Sequence, residues 1–425
     1  MNKIIDNKRV KLNRICMINP QGFVEYPAPL GRSDTGGQIL YVIELAKAIA
    51  TKGIKVDIIT RQFDDHPEEE KINDFVKIVR IPCGPKGFVA KEKLYESMPE
   101  FAENFMAYIE KTRKTYDLIH SHYWDGGYAG NILKKLLDIP HIHTPHTLGK
   151  MKKIEMAAEE THPTKLKPIY RYHLRIAIEQ KIMTQADAVL VLCETTRIQI
   201  LQHYIVDFEK IHVIFPGVDT SIFTTTKNAF DKQIKLEKNA ILTVSRLVPA
   251  KGLDRVVESL SQIKNKVPFH LYIAGGESNT MSDEEKQTEE QLNTLIKKFK
   301  LEKKVTRLGK IDHTTTLPAY YRAASAFILG ARYEPFGLTT LEAMACGAAP
   351  IISSVAGSRE VIIDGLNGFI VNMHDRTSLS EAIVKLISDD KLRKKVAENA
   401  AFTTKEHSDW DKVVEKMISL YLNLL

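Results

Sequence analysis

Short apolar, β-branched runs alternate with segments of helical period along almost the whole chain, the pattern of parallel strands wrapped by helices. The alternation runs twice. In the first half the strand candidates are RICMIN (14–19), VDIIT (56–60), FVKIVRIP (75–82), DLIHSH (117–122), PHIHTP (140–145) and AVLVLC (188–193). Between them lie helical segments such as GQILYVIELAKAIATKG, where Ile39, Val42, Ile43, Ala46 and Ile49 form one apolar stripe closed by Gly53. After HVIFPGVDTSIF (212–223) the pattern pauses in a polar, Lys- and Asn-containing stretch, then restarts at NAILTVSR (239–246). FHLYIAG, VTRLGK, SAFILGA, APIISS and GFIV follow as further strands, while TMSDEEKQTEEQ (280–291) is polar enough for a solvated helix or loop. The expected fold is α/β, with two doubly wound, Rossmann-like domains at residues 1–216 and 217–406 and a break near 216–239. The final segment, 407–425, reads as a helix with its own apolar face that packs back on the first domain. Open sheets of this kind take ligands at the C-terminal ends of their strands, so the cleft between the domains is the expected site.

Composition agrees with two cores. A chain of 425 residues with 44% hydrophobic and 27% charged residues is globular and too long for one core. Its formal charge of +7 comes from Lys and Arg interleaved with Asp and Glu, which leans towards small anionic ligands and away from nucleic acid. Cys16, Cys83, Cys193 and Cys346 are scattered, with no CxxC pair and no disulfide framework. The opening MNKIIDNKRVKLNRICMINP is broken by charges, and no apolar run nears the ~20 residues of a transmembrane helix. These features predict a soluble, cytoplasmic protein; they leave its oligomeric state open.

Four stretches carry chemistry. The Gly36-Gly37 pair sits between a strand with its long loop and a helix, where bare backbone amides and a helix N-terminus suit a phosphate, although such a pair is as often a simple turn. The absence of GxGxxG disfavours a nicotinamide dehydrogenase. Arg246 ends a strand and Lys251 precedes a helix, a placement that can neutralise a leaving diphosphate or simply face solvent. ARYEPFGLTTLEAMACG holds Glu334 on a loop and Glu342 inside a helix; both can bind sugar hydroxyls, yet a cap and an exposed helix acid describe them equally well from composition. His120, His122, His141, His143 and His146 cluster without a recognised metal set, and His146 lies beyond a strand end in a turn. Lys91, Lys150, Lys152, Lys153, Arg171 and Arg175 are candidates for an anion pocket, about half of them expected to be solvated bystanders.

Taken in order, SDTGGQILYVIELAKAIA, HSHYWDGGYAG, HTPHTLGK, VIFPGVDTSIF, SRLVPAKG and YEPFGLTTLEAMACG resemble the retaining GT-B glycosyltransferases of the sucrose-phosphate synthase type nearly end to end. LGRSDTGGQ and HTPHTLGKMKK are most similar to bacterial sucrose-phosphate and mannosylfructose-phosphate synthases. The resemblance implies that Glu334 contacts the donor hexose, Glu342 the donor ribose, and Arg246 with Lys251 the diphosphate. It assigns Phe336, Gly337 and Leu338 to the donor site, with Gly36 and Gly37 opposite, and puts His146 beside the reacting sugar. Gly37, Gln38, Lys91, Tyr123, Lys152 and Arg175 fall where a phosphorylated acceptor, fructose 6-phosphate foremost, is held. Leu174 stands where some members carry a second Arg, and SSVAGSREVI departs from the common GGP. The implied donor is UDP-glucose, with GDP-mannose or ADP-glucose as alternatives, and no metal or other cofactor is implied; the DWD triplet lies in the terminal segment. The implied chemistry is same-face substitution with retention. A glycan or lipid acceptor, a nucleotide-sugar epimerase or hydrolase, and a sugar-binding protein are the competing readings.

Overall fold

The computed structural model describes residues 11–30, 35–62, 65–87, 89–159, 170–276, 281–375 and 377–425. Residues 31–34 of the LGRSDTGGQ stretch, the whole charged N-terminal decapeptide and Thr280 lie outside that set. The first sheet contains β1 (Arg14–Ile18), β2 (Lys55–Gln62), β3 (Glu69–Lys71), β4 (Val76–Pro82), β5 (Leu118–His122), β6 (His141–Thr144), β7 (Ala188–Val191) and β8 (Ile211–Val213). Its spatial order is β3-β4-β2-β1-β5-β6-β7-β8, parallel throughout except for β3. The second sheet holds β9 (Ala240–Val244), β10 (His270–Ala274), β11 (Val305–Gly309), β12 (Ala326–Leu329), β13 (Ala349–Ser353) and β14 (Phe369–Val371). Here the order is β11-β10-β9-β12-β13-β14, all parallel.

The predicted strands all form, and their unbroken apolar runs have a physical cause. Helices cover both faces of each sheet, so Ile15, Met17, Ile58, Ile241 and Ile351 are all buried and no polar alternation is needed. The edge strand β3 reads EEK and escapes any hydrophobic pattern. It is held by charge instead, with Lys77 Nζ 2.8 Å from Glu69 Oε2 on the paired strand. The 280–291 stretch divides at Ser282, which caps the helix Asp283–Lys298 by accepting from the Glu285 amide while Glu285 returns the bond.

Strand order reverses between β1 and β5 in the first sheet and between β9 and β12 in the second. Crevices open at these two switch points. The chain passes between the sheets near Gly217 and again near Ser408, where the Val218 amide donates to the Ser408 carbonyl at 2.7 Å. A Cβ on Gly217 would collide with the Trp410 ring, so glycine is required for this close passage. The last helix, Trp410–Leu422, lies against the helix Gly37–Ala50 of the first sheet, with the Tyr41 and Trp410 rings 5.8 Å apart and Tyr421 Oη 2.8 Å from His120 Nδ1. The four cysteines are buried and unbridged. Among the described residues no helix is long and apolar enough to cross a membrane.

Candidate active site

One wall of the cleft is built on β9 and β12. Arg246 follows β9 by two residues, and Gly275, with φ +113°, lets the end of β10 pass the Ser245 carbonyl where any Cβ would collide. Lys251 closes a short 3-10 turn, Pro249–Lys251, ended by Gly252 at φ +62°. Arg332, just beyond β12, clamps this turn by donating to both Asp254 oxygens at 2.7 and 2.6 Å and to the Pro249 carbonyl at 2.9 Å. Lys251 is thereby aimed at Glu334, with which it forms an ion pair. The Glu334 loop is braced by the segment after β13: the Gly357 amide donates to the Glu334 carbonyl at 3.0 Å and the Ser358 amide to the Phe336 carbonyl at 2.7 Å. Gly337, at φ +99°, turns the chain into the helix Leu338–Ala345. Glu342 lies in that helix and is only 4% exposed, so it is not a surface acid. Its oxygens accept from Tyr321 Oη at 2.9 Å and from His313 Nε2 at 2.8 Å. Burial works to lower the His313 pKa, but the Glu342 carboxylate outweighs it and the net shift is upward.

Gly36, Gly37, Arg246, Lys251, Glu334, Gly337, Leu338 and Glu342 all line one cavity of about 230 Å³ between the domains. Lys310, Ile311 and His313 line it too, and the sequence reading missed all three. The signal available was their position immediately beyond β11, at a strand end like those already marked. A Cβ on Gly37 would lie 3.7 Å from Leu338 of the opposite domain, so the glycine turn abuts the signature helix. Phe336 does not line the cavity: it is buried, with its ring 6.2 Å from that of Phe215 in the interdomain core.

The other wall belongs to the first sheet. Gln38 donates to Asn19 Oδ1 at 2.6 Å beyond the end of β1. His146 has a left-handed backbone (φ +57°), and its ring stands edge-on to Tyr41 at 5.3 Å with Nε2 3.0 Å from His122 Nδ1. Burial lowers its pKa to about 3, so the ring is neutral. His146 lies outside the 230 Å³ cavity. His120, His141 and His143 are buried in hydrogen bonds to Thr144, Ser121 and Asn131. Among the described residues no group of three or more His, Cys, Asp or Glu is arranged to hold a metal.

The expected acceptor residues divide. Arg175 is 4% exposed and donates to Glu179 at 2.7 Å, Tyr123 Oη at 3.0 Å, and the Thr147 carbonyl and hydroxyl at 2.9 and 2.8 Å. It braces the turn after His146 instead of presenting an open guanidinium. The sequence reading counted cations and overlooked Glu179, four residues along the same helix face. Tyr123 is buried beneath Arg175, its ring 4.8 Å from the guanidinium carbon. Lys152 remains half-buried, and burial together with the charges of Lys91 and Arg175 lowers its pKa to about 8. Lys91 is 3.9 Å from Glu92. Arg171 pairs with Glu96, and Lys153 lies 3.2 Å from His173, both in exposed positions. One contact crosses the cleft here, the Leu148 amide donating to Tyr333 Oη at 3.4 Å.

Two facing doubly wound sheets, with a cation pair and a carboxylate pair at one switch point and a glycine turn at the other, define a glycosyltransferase of GT-B fold. Residues 35–222 match the model Glycosyltransferase Family 4 and residues 224–402 the model Glycosyl transferases group 1. Mannosylfructose-phosphate synthase of Agrobacterium fabrum is 34% identical over 96% of this chain and 90% of its own. A probable sucrose-phosphate synthase of Thermosipho melanesiensis is 32% identical over 97% of this chain and 96% of its own. Among solved structures, the sucrose-phosphate synthase of Thermosynechococcus elongatus superposes with TM-score 0.84 at 27% identity, covering 97% of this chain and 99% of that one. The chain belongs to the group 1 glycosyltransferase family.

Proposed function

We propose that the protein transfers a hexosyl group from a nucleotide sugar to a sugar phosphate, fructose 6-phosphate foremost, with retention at the anomeric carbon. The observation that carries the reading is the cavity between the domains lined by Arg246, Lys251, Glu334 and Glu342, together with the group of cations, Lys152, Lys91 and Arg175, that act on one another in the first domain. Arg246 and Lys251 suit the diphosphate of a donor; Lys152 and Lys91, backed by Arg175, suit the phosphate of an acceptor. The relatives named as mannosylfructose-phosphate and sucrose-phosphate synthases support the same acceptor class.

In this reading Glu342 receives the ribose diol, and Glu334, oriented by Lys251, accepts from hexose hydroxyls. Phe336 supports the loop from below, and the Gly337 and Leu338 amides face the diphosphate. His146, neutral at physiological pH, serves as a hydrogen-bonding partner beside the sugar and not as a cation. The acceptor oxygen attacks the anomeric carbon on the face the diphosphate leaves. The new C–O bond forms as the bond to the phosphate oxygen breaks, and the acceptor proton passes to that oxygen. The protein contributes orientation and charge stabilisation.

A donor-by-acceptor matrix tests this: UDP-glucose, GDP-mannose and ADP-glucose against fructose 6-phosphate, free fructose and glycan or lipid acceptors, read by nucleotide release and product mass. The expected outcome is a disaccharide phosphate formed with one donor, with free fructose a poor acceptor. Transfer only to a lipid or glycan overturns the acceptor, and release without any acceptor overturns the transfer.

A further inference from the structure

We infer that His313 is a positioning residue of the donor site, holding the Glu342 carboxylate in the orientation that meets a nucleoside's ribose diol and balancing its charge. The inference rests on the reading of Glu342 as the ribose-binding acid.

A carboxylate as buried as Glu342 needs hydrogen-bonding partners. Tyr321 and His313 each supply one, on different oxygens. A carboxylate has about four acceptor positions, so each oxygen keeps one for a hydroxyl of a vicinal diol. Tyr321 is fully buried, whereas His313 lines the cavity beside Glu342. His313 is itself held in place. Asp312 accepts from the amides of Thr314 and Thr315 at 3.1 and 2.8 Å and from the Thr315 hydroxyl at 2.6 Å, which pins the turn that carries the imidazole. The Phe223 ring packs against it with the ring centroids 5.1 Å apart.

The charged groups around the imidazole are mostly acids. Glu342 is in contact, Asp312 is adjacent, and Glu44 faces it from the helix Gly37–Ala50 of the first domain; Lys310 lines the same cavity. These carboxylates overcome the effect of burial and raise the His313 pKa above its ordinary 6.5. An incoming diphosphate adds negative charge and favours the protonated ring further. Donor affinity is therefore full below this pKa and falls as pH rises through it, and binding at higher pH takes up a proton.

The test is calorimetric titration of the full chain with UDP-glucose and GDP-mannose between about pH 6 and pH 9, the range a histidine spans. These donors carry diester-like phosphates that do not titrate there. His313→Gln keeps a donor group without a titrating charge, and His313→Ala removes both. The wild-type affinity is expected to fall on the order of 10-fold over the range, the worth of one charge-assisted hydrogen bond, and the Gln variant to show no such fall. The 2′-deoxy donor should be penalised less in His313→Ala than in wild type, an interaction that a purely structural histidine does not produce. Circular dichroism and the thermal midpoint check that both variants fold. A pH profile unchanged by His313→Gln, or an undiminished 2′-deoxy penalty in His313→Ala, overturns the inference and leaves the donor site standing. Wild-type protein that binds neither donor overturns the donor reading and this inference together.

Discussion

At the scale of single residues, Lys251 and Glu334 neutralise each other within the cleft before any ligand arrives, and this preorganises both. The ammonium is fixed by its partner, so little reorganisation is needed when a diphosphate's charge develops during bond cleavage. Lys251→Ala should lower the transfer rate on the order of 10²-fold or more, while donor KM changes less. A folded Lys251→Ala protein with unchanged kcat would contradict this role. Lys152 carries a separate pH dependence. With its pKa lowered to about 8 it is charged below that pH and loses its proton above it. A phosphate dianion prefers the charged form, so KM for the sugar phosphate should rise above pH 8 while donor KM is not moved by this group. Lys152→Met should raise acceptor KM and abolish that limb of its profile, as measured by initial rates at saturating donor.

At the scale of elements, the site depends on turns that only glycine can make. Gly252 combines φ +62° with a Cβ direction that meets the Gly330 carbonyl. Gly53, at φ +78° beyond the helix Gly37–Ala50, has open space around its missing Cβ. Gly53→Ala should therefore cost only the left-handed strain, about 1 kcal/mol, and Gly252→Ala appreciably more, because backbone must move. Urea unfolding compares the two; equal midpoint shifts would refute the packing argument. This scale also explains what was legible in the sequence. Strand runs, the Gly36-Gly37 turn and the loop-to-helix acids are local patterns read within a few residues. The Arg332–Asp254 clamp and the β3–β4 charge pair join polar residues whose identities alone do not name a partner.

At the scale of the whole molecule, the two domains are tied by a carboxylate as well as by apolar packing. Glu360 of the second domain accepts from the amides of Glu194 and Thr195 at 2.7 Å each and from the Thr195 hydroxyl at 2.6 Å, capping the helix Glu194–His203 of the first. Cys193 Sγ lies 3.3 Å from the Pro335 carbonyl, so the same seam touches the loop that carries Glu334. Glu360→Ala should loosen the cleft, increasing the radius of gyration in solution scattering and raising KM for donor and acceptor together by several-fold, the scale of a lost cap. Unchanged scattering and unchanged KM values would show that the apolar seam suffices alone. Glu360 falls in SSVAGSREVI, the stretch that departs from the family's usual GGP, so its residues can be assigned structural work only in the folded protein.

The sequence by itself determined the fold class, the doubling of the α/β pattern, and the short peptides from which eight cavity-lining residues come. Those properties depend on periodicity and on neighbours in the chain. Only the tertiary structure decided which charges remain open to a ligand. Arg175 and Phe336 turned out to be committed to packing and hydrogen bonds from distant elements, while His313, Lys310 and Ile311 were brought to the cavity by the end of β11. The physical reason is that a side chain's burial and partners depend on residues far away in the chain, whereas its tendency to form a strand, helix or turn is largely local.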